Sequence, residues 1–198
     1  MILKSKAVKS KRGMKNVLRY IISGTNLQSN DFVLTRFIRG DRPFEALIGK
    51  SEGILERSLD VLENRVENMF TQFEQNNEKR RIKRKNANRI YHEIISFNKL
   101  DTDKLNSKNL KKLARYYAKI RSKNSLMVSA LHSDKEHLHI HNVISAVEFE
   151  TGKTVRLSRN DFKNVKVSLE NWQEKNLGLI HSKVNHDKKK RTVTSHRC

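Results

Sequence analysis

The chain contains one cysteine, Cys198, the last of its 198 residues. That excludes an intrachain disulfide and a cysteine-rich zinc site, and it suits a reducing cytoplasm, the expected location. No apolar run reaches the length of a membrane-spanning helix, and the opening MILKSKAVK lacks the apolar core of a secretory signal. Acidic residues are scarce, 21 against 42 Lys and Arg, which leaves a formal charge of +21 and a pI near 10.3. An excess of that size points to a polyanionic partner, because Lys and Arg release the counterions condensed on a phosphate backbone. A ribosomal-type protein or a binder of acidic membranes would share the charge. Nucleic acid is favoured because the basic residues run along the whole chain and accompany a cluster of histidines. The densest groups are Lys79, Arg80 and Arg81 with Lys83, Arg84 and Lys85, and Lys188 to Arg191. The first is the candidate nucleic-acid contact, although a charge run is more often a solvated linker.

What the chain does hold is LHSDKEHLHIHNVIS, from Leu131 to Ser145. His139 and His141 alternate with Leu138, Ile140 and Val143, a strand pattern that puts positions i and i+2 on one face. Two imidazoles on one strand face and a third, His132, one loop away can close three corners of a divalent metal site. With no thiolates available, such a site leaves positions open, as catalytic sites do. Solvated histidines on an exposed strand are the bland alternative, and His137 competes as a ligand on the same alternation.

Elements follow from periodicity and punctuation. A strand over residues 2–8 leads into a helix over 14–22 that Gly24 ends. Met14, Val17, Leu18, Ile21 and Ile22 form its apolar stripe. Tyr20 lies about 130° from the stripe's centre at ~100° per residue, so it is presented outward. Residues 31–39 read as extended up to the turn signal Gly40-Asp41-Arg42-Pro43. A helix over 52–73 carries Leu55, Leu59, Leu62, Val66, Met69 and Phe73 at a coiled-coil-like period, and core packing is its expected use. Residues 72–89 form a polar boundary and a candidate DNA-contacting loop. Strands are expected over 91–97, 126–131 and 138–148, with a short edge strand over 154–157. Helices are expected over 107–121 and from the cap Ser158 to 176, ended by Gly178. The expected fold is α/β (α+β), a central and mainly antiparallel sheet with flanking helices and the His139/His141 strand in the middle. Residues 1–180 form one domain, followed by a basic polar tail, 181–198, that is disordered or begins a linker.

Four stretches together resemble the relaxases, the mobilisation nucleases of conjugative and mobilisable plasmids and integrative elements. They are KNVLRYII (15–22), YHEIISF (91–97), His132-Ser-Asp followed by His139 and His141, and LENWQEKNLGL (169–179). The resemblance implies metal-dependent nicking and rejoining of single-stranded DNA at an origin of transfer, through a 5′-phosphotyrosine. It places the nucleophile at Tyr20, one divalent ion, Mn²⁺ or Mg²⁺, on His132, His139 and His141, and a supporting carboxylate at Asp134. An all-imidazole site points toward Mn²⁺ or another transition metal, because Mg²⁺ prefers oxygen ligands. Implied partners are single-stranded or supercoiled DNA at an origin of transfer, an accessory DNA-binding protein and the coupling protein of a secretion system. Relatives often have asparagine four residues after the last histidine, where this chain has Ser145.

Rival readings differ in what they require. Tyr91, Tyr116 and Tyr117 are alternative nucleophiles, Tyr91 the most serious because it opens a strand. His92 and Glu93 are candidates for a proton shuttle or an outer ligand. A histidine-triad nucleotide hydrolase would suit His137-Leu138-His139-Ile140-His141, but Asn142 breaks its apolar continuation and it has no need of the charge. Replication initiators and transposases of the same nuclease type commonly place the tyrosine after the histidines. A non-catalytic binding module with a structural metal would make Tyr20 dispensable and would unfold on losing the metal.

Overall fold

The apolar residues of the two histidine-bearing segments alternate with polar ones that are equally hidden, because helices cover both faces of the sheet. The protein is described here by a computed structural model covering residues 2–24, 32–41, 54–133 and 138–183. Its elements are β1 (Ile2–Val8), α1 (Lys11–Ser23), β2 (Val33–Arg36), α2 (Ile54–Glu78), β3 (Ile90–Ser96), α3 (Ser107–Arg121), β4 (Ser125–His132), β5 (His139–Glu148) and α4 (Arg159–Leu177), with a 3₁₀ stretch at Lys99–Lys104. The five strands pair antiparallel in the order β1-β3-β5-β4-β2, so the His139/His141 strand is central, as expected.

On one face, Met14, Leu18, Ile21 and Ile22 of α1 and Val66, Met69 and Phe73 of α2 pack on Ile90, Val128, Ala130 and Val143. On the other, α3 and α4 bring Leu110, Leu113, Tyr117 and Leu169 onto Ile95, Met127, Ile140 and Ile144. Each fully buried aliphatic side chain contributes roughly 1.5–3 kcal/mol. The α1 stripe is therefore strong enough to fix the helix, and with it Tyr20, over the sheet. A ladder of ion pairs sets the antiparallel direction of α1 against α2: Lys11 with Glu74, Lys15 with Glu67, Arg19 with Glu63.

Several boundaries differ from the sequence reading for identifiable reasons. Helix α2 continues to Glu78 rather than Phe73 because its polar end has partners. Glu74 binds Lys11 and Arg89, and Asn76 donates to Ser145 Oγ and to the Val147 carbonyl, each at 2.8 Å. The expected stripe of α2 is buried at Val66, Met69 and Phe73, whereas Leu59 is exposed. The extended segment of 31–39 is a strand only over Val33–Arg36, since Phe37 takes a left-handed φ of 59°. The edge strand expected over 154–157 reduces to one bridge, Val147 to Thr154. Gly152 has φ +65°, and a Cβ there would lie 2.2 Å from the Lys79 carbonyl oxygen, so only glycine lets the β5–α4 turn meet the end of α2. Packing continues past residue 180: Ser182 is buried, and its Oγ accepts from the Asn98 amide at 3.0 Å.

Candidate active site

Antiparallel register brings the histidines together. His132, the last residue of β4, pairs directly with His139, the first of β5, and His141 follows two positions later on the same face. Ring centroids lie 4.4 Å apart for His132 and His141, 4.8 Å for His139 and His141, and 5.5 Å for His132 and His139. One ring nitrogen from each falls within 4.8 Å of the others, and all three side chains are buried.

Neighbouring groups select the ring nitrogens that face the centre. His132 Nε2 lies 2.8 Å from the Ile21 carbonyl oxygen. A carbonyl can only accept, so Nε2 carries the hydrogen and Nδ1 keeps the lone pair. His141 Nδ1 lies 2.9 Å from His92 Nε2, and the two rings are stacked. Burial, with a smaller contribution from the nearby Lys6 charge, holds His92 below the ordinary imidazole pKa. His92 is thus neutral at pH 7 and suited to accept from His141, which directs His141 Nε2 inward. A cluster of imidazoles, two of them oriented by outer partners, fits a divalent ion of the borderline-soft class.

Tyr20 completes the arrangement. It sits on the last turn of α1, 44 % exposed, with its ring edge-on to His132 at 5.5 Å and to His141 at 5.3 Å. The other three tyrosines of the chain are elsewhere. Tyr91 faces the opposite side of the sheet, under the Arg121 guanidinium at 5.2 Å. Tyr116 stacks on Trp172, and Tyr117 is fully buried against Glu93. Sequence reasoning did not single out Gly24 beyond its helix-ending role. A Cβ at that position would stand 2.6 Å from His132 Cε1, so the glycine leaves room for the imidazole. The glycine was visible in the sequence, but its neighbour was not.

The remaining candidates resolve as follows. Glu93 points away from the histidines, into a buried cluster with Arg121, Tyr117 and Ser5. Ser145 and Asn142 are structural: Ser145 Oγ accepts from Asn76, and Asn142 Oδ1 accepts from Ser129 Oγ at 2.7 Å. Asp134 and His137 lie outside the described residues. Lys79, Arg80, Arg81, Lys83, Arg84 and Lys85 do not line the histidine site. They cluster at the far end of the sheet, where Arg81 bonds the Thr151 carbonyl at 2.6 Å and the Gly152 carbonyl at 3.1 Å. The run from His141 to Val147 spans about 20 Å at ~3.3 Å per residue. There Arg80, Lys83, Arg84 and Lys85 join Lys9, Lys11 and Arg89 around a cleft of about 250 Å³ that also holds Glu74 and Glu78.

The same fold occurs in known structures. The chain matches the MobM relaxase domain (MOBV; Mob_Pre), solved Mn-bound with plasmid pMV158 oriT DNA, with a TM-score of 0.57 and 19 % identity over 98 % of this chain and 97 % of that one. A second structure of that domain with the same DNA, at pH 5.5, gives 0.54 and 16 % over 88 % and 86 %. A structure described as the molecular basis of vancomycin resistance transfer in Staphylococcus aureus gives 0.52 and 13 % over 88 % and 90 %. No curated protein sequence matches the chain. The family profile "Relaxase: MobA/VirD2-like, nuclease domain" matches residues 49–177, a span that includes all three histidines and excludes Tyr20. With well over half its length in that match, the chain belongs to the MobA/VirD2-like relaxase nuclease-domain family.

Proposed function

We propose that the protein nicks and rejoins a single DNA strand at an origin of transfer, with Tyr20 as nucleophile and His132, His139 and His141 as the ligands of one divalent ion. The observation that carries this reading is the seating of the Tyr20 ring on His132 and His141, at the mouth of a buried three-imidazole cluster. The Mn-bound state of the MobM domain favours Mn²⁺ over Mg²⁺ as the ion, as does the all-nitrogen donor set. The nuclease domain spans residues 1–183 rather than 1–180, because Ser182 packs against Asn98 and Gln173. DNA is the partner, and the accessory and coupling proteins of a transfer apparatus, in the cytoplasm, are the wider context.

The chain's own residues account for the geometry of the reaction. Tyr20 Oη attacks the scissile phosphorus, the bond from phosphorus to the 3′ oxygen breaks, and the strand is left with a 5′-phosphotyrosine and a free 3′-hydroxyl. The phenol proton passes to solvent as the new bond forms, and the departing 3′ oxygen takes up a proton to become the hydroxyl. Rejoining reverses these steps without ATP, because the phosphodiester energy is kept in the tyrosyl ester. When bound, the ion supplies positive charge to neutralise the phosphate oxygens. His132, His139 and His141 would hold that charge in place without cancelling it, because imidazole binds a metal as an uncharged ligand. The Ile21 carbonyl and His92 fix two of the three rings, so little reorganisation is needed when DNA arrives.

Incubation of a labelled single-stranded oligonucleotide library with the protein and Mn²⁺, followed by a denaturing gel, tests the reading. A covalent protein–DNA adduct is expected, and it should be absent in Tyr20→Phe and without metal. An adduct that survives Tyr20→Phe, or none under any divalent metal, would overturn it.

A further inference from the structure

We infer that Phe37 and Phe149 form a nucleobase-stacking platform for single-stranded DNA, remote from the histidines on the same side of the sheet. The inference rests on the DNA-binding reading above and adds a second point of contact to it.

Phe37 is 43 % exposed and has a φ of 59°, a backbone region that bulky residues seldom enter. Exposure and strain together are poor value for a packing residue, and strain of this kind concentrates where a side chain has to be displayed. The Phe37 ring lies nearly parallel to that of Phe149, at 4° and 5.7 Å between centroids. A cation stands by each ring: Arg36 at 4.8 Å from Phe37 and Lys79 Nζ at 5.0 Å from Phe149. Parallel aromatics flanked by cations are the chemistry that holds unpaired bases and their phosphates.

The display is held rigid on both sides. Before Phe37, the Arg36 guanidinium donates to the carbonyls of Ala118 and Ser122 at 2.8 and 2.7 Å, and also to that of Lys123. After it, Gln72 brackets the Arg39 backbone, accepting from its N–H at 2.8 Å and donating to its carbonyl at 2.9 Å. Asp41 is fixed by a bidentate bond from Arg65, with both side chains buried. Beside the rings opens a cavity of about 440 Å³, lined by Arg39, Gln75, Lys79 and Leu126 among others. Its size suits a small aromatic ligand. Its cations suit a phosphate, and its amides can meet a base edge.

The position relative to the histidines is set by β4. Leu126 lines the cavity, and Leu126, Val128, Ala130 and His132 share one face of that strand. Six residues at ~3.3 Å each put the platform about 20 Å from the site. That distance corresponds to about six stacked nucleotides at 3.4 Å each, and to fewer in an extended strand.

The test uses the full chain carrying Tyr20→Phe, with EDTA present, so that binding is read without cleavage. Anisotropy of fluorescein-labelled (dT)20 should show roughly tenfold weaker binding for Phe37→Asn, since asparagine accepts positive φ but offers no ring to stack on. Phe37→Leu keeps apolar bulk without a π face and should lose affinity similarly, while Phe37→Trp should retain it. Ultraviolet crosslinking of (dT)20 bearing 5-iodouracil should mark a peptide that contains Phe37 or Phe149. Unchanged affinity in Phe37→Leu, with crosslinks confined to other peptides, would overturn the platform and leave the Tyr20 adduct assay unaffected. Absence of any (dT)20 binding would overturn the platform as well.

Discussion

At the residue scale, Gly24 sets a tight limit on the site. Its absent side chain leaves the space next to His132 Cε1, where a methyl group would be 2.6 Å away. The glycine has φ −75°, so alanine is acceptable to the backbone, and the conflict is with the imidazole alone. Gly24→Ala should therefore fold normally by circular dichroism and bind Mn²⁺ about 10- to 100-fold more weakly, the usual cost of disturbing a ligand's support. Wild-type Mn²⁺ affinity by titration calorimetry would show that His132 has room to move. Across the sheet, Tyr117 makes a different prediction. Burial first, then the Glu93 carboxylate, raises its phenol well above the ordinary 10.0. The folded state thus keeps a proton that the unfolded chain releases. The resulting stability is present below pH 10.0 and is lost as the pH climbs from there toward the folded-state value. Wild type should accordingly lose melting temperature more steeply above that pH than Tyr117→Phe does. Parallel curves would contradict the assignment.

At the element scale, the end of α2 does more than sequence patterning reveals. The Arg65–Asp41 pair is buried and ties α2 to the segment after β2. Removing one partner strands a buried charge, so Arg65→Ala should lower unfolding free energy by about 3–5 kcal/mol in urea titrations. The Arg19–Glu63 pair between α1 and α2 is half exposed, and Arg19→Ala should leave the urea midpoint where it was. This contrast marks the limit of what the sequence discloses. Strand alternation located His139 and His141, and helical periodicity turned Tyr20 outward, because both are local rules. The antiparallel pairing and the central place of the His139/His141 strand also agree with expectation. The last turn of α2 was hidden, since Glu74 and Asn76 resemble a polar boundary until partners from three other segments are in place. The roles of His92 and Gly24 depend on side chains 49 and 108 positions away, a relation no local pattern carries. The basic run after α2 was legible as charge, but its distance from the histidines was not.

At the scale of the whole molecule, the histidine cluster is set into a core that is already closed on both faces of the sheet. Chelation with EDTA should therefore leave the chain folded, and saturating Mn²⁺ should raise the melting temperature, by about 2.7 kcal/mol of linkage at a hundredfold excess over Kd. Unfolding on chelation would instead mark the ion as structural. The charge of +21 predicts an equally plain result with DNA. The logarithm of affinity for a single strand should fall linearly with the logarithm of salt, with a slope of about −0.7 per phosphate neutralised. Tyr20 and Ile21 are adjacent on α1, one the proposed nucleophile and the other carrying the carbonyl that holds His132, while His139 and His141 come more than a hundred residues later. During synthesis, then, the tyrosine leaves the ribosome long before the strand that would complete its proposed site. On the proposed function, a nascent chain that stops short of β5 lacks two of the three proposed ligands, and cleavage has to await closure of the sheet.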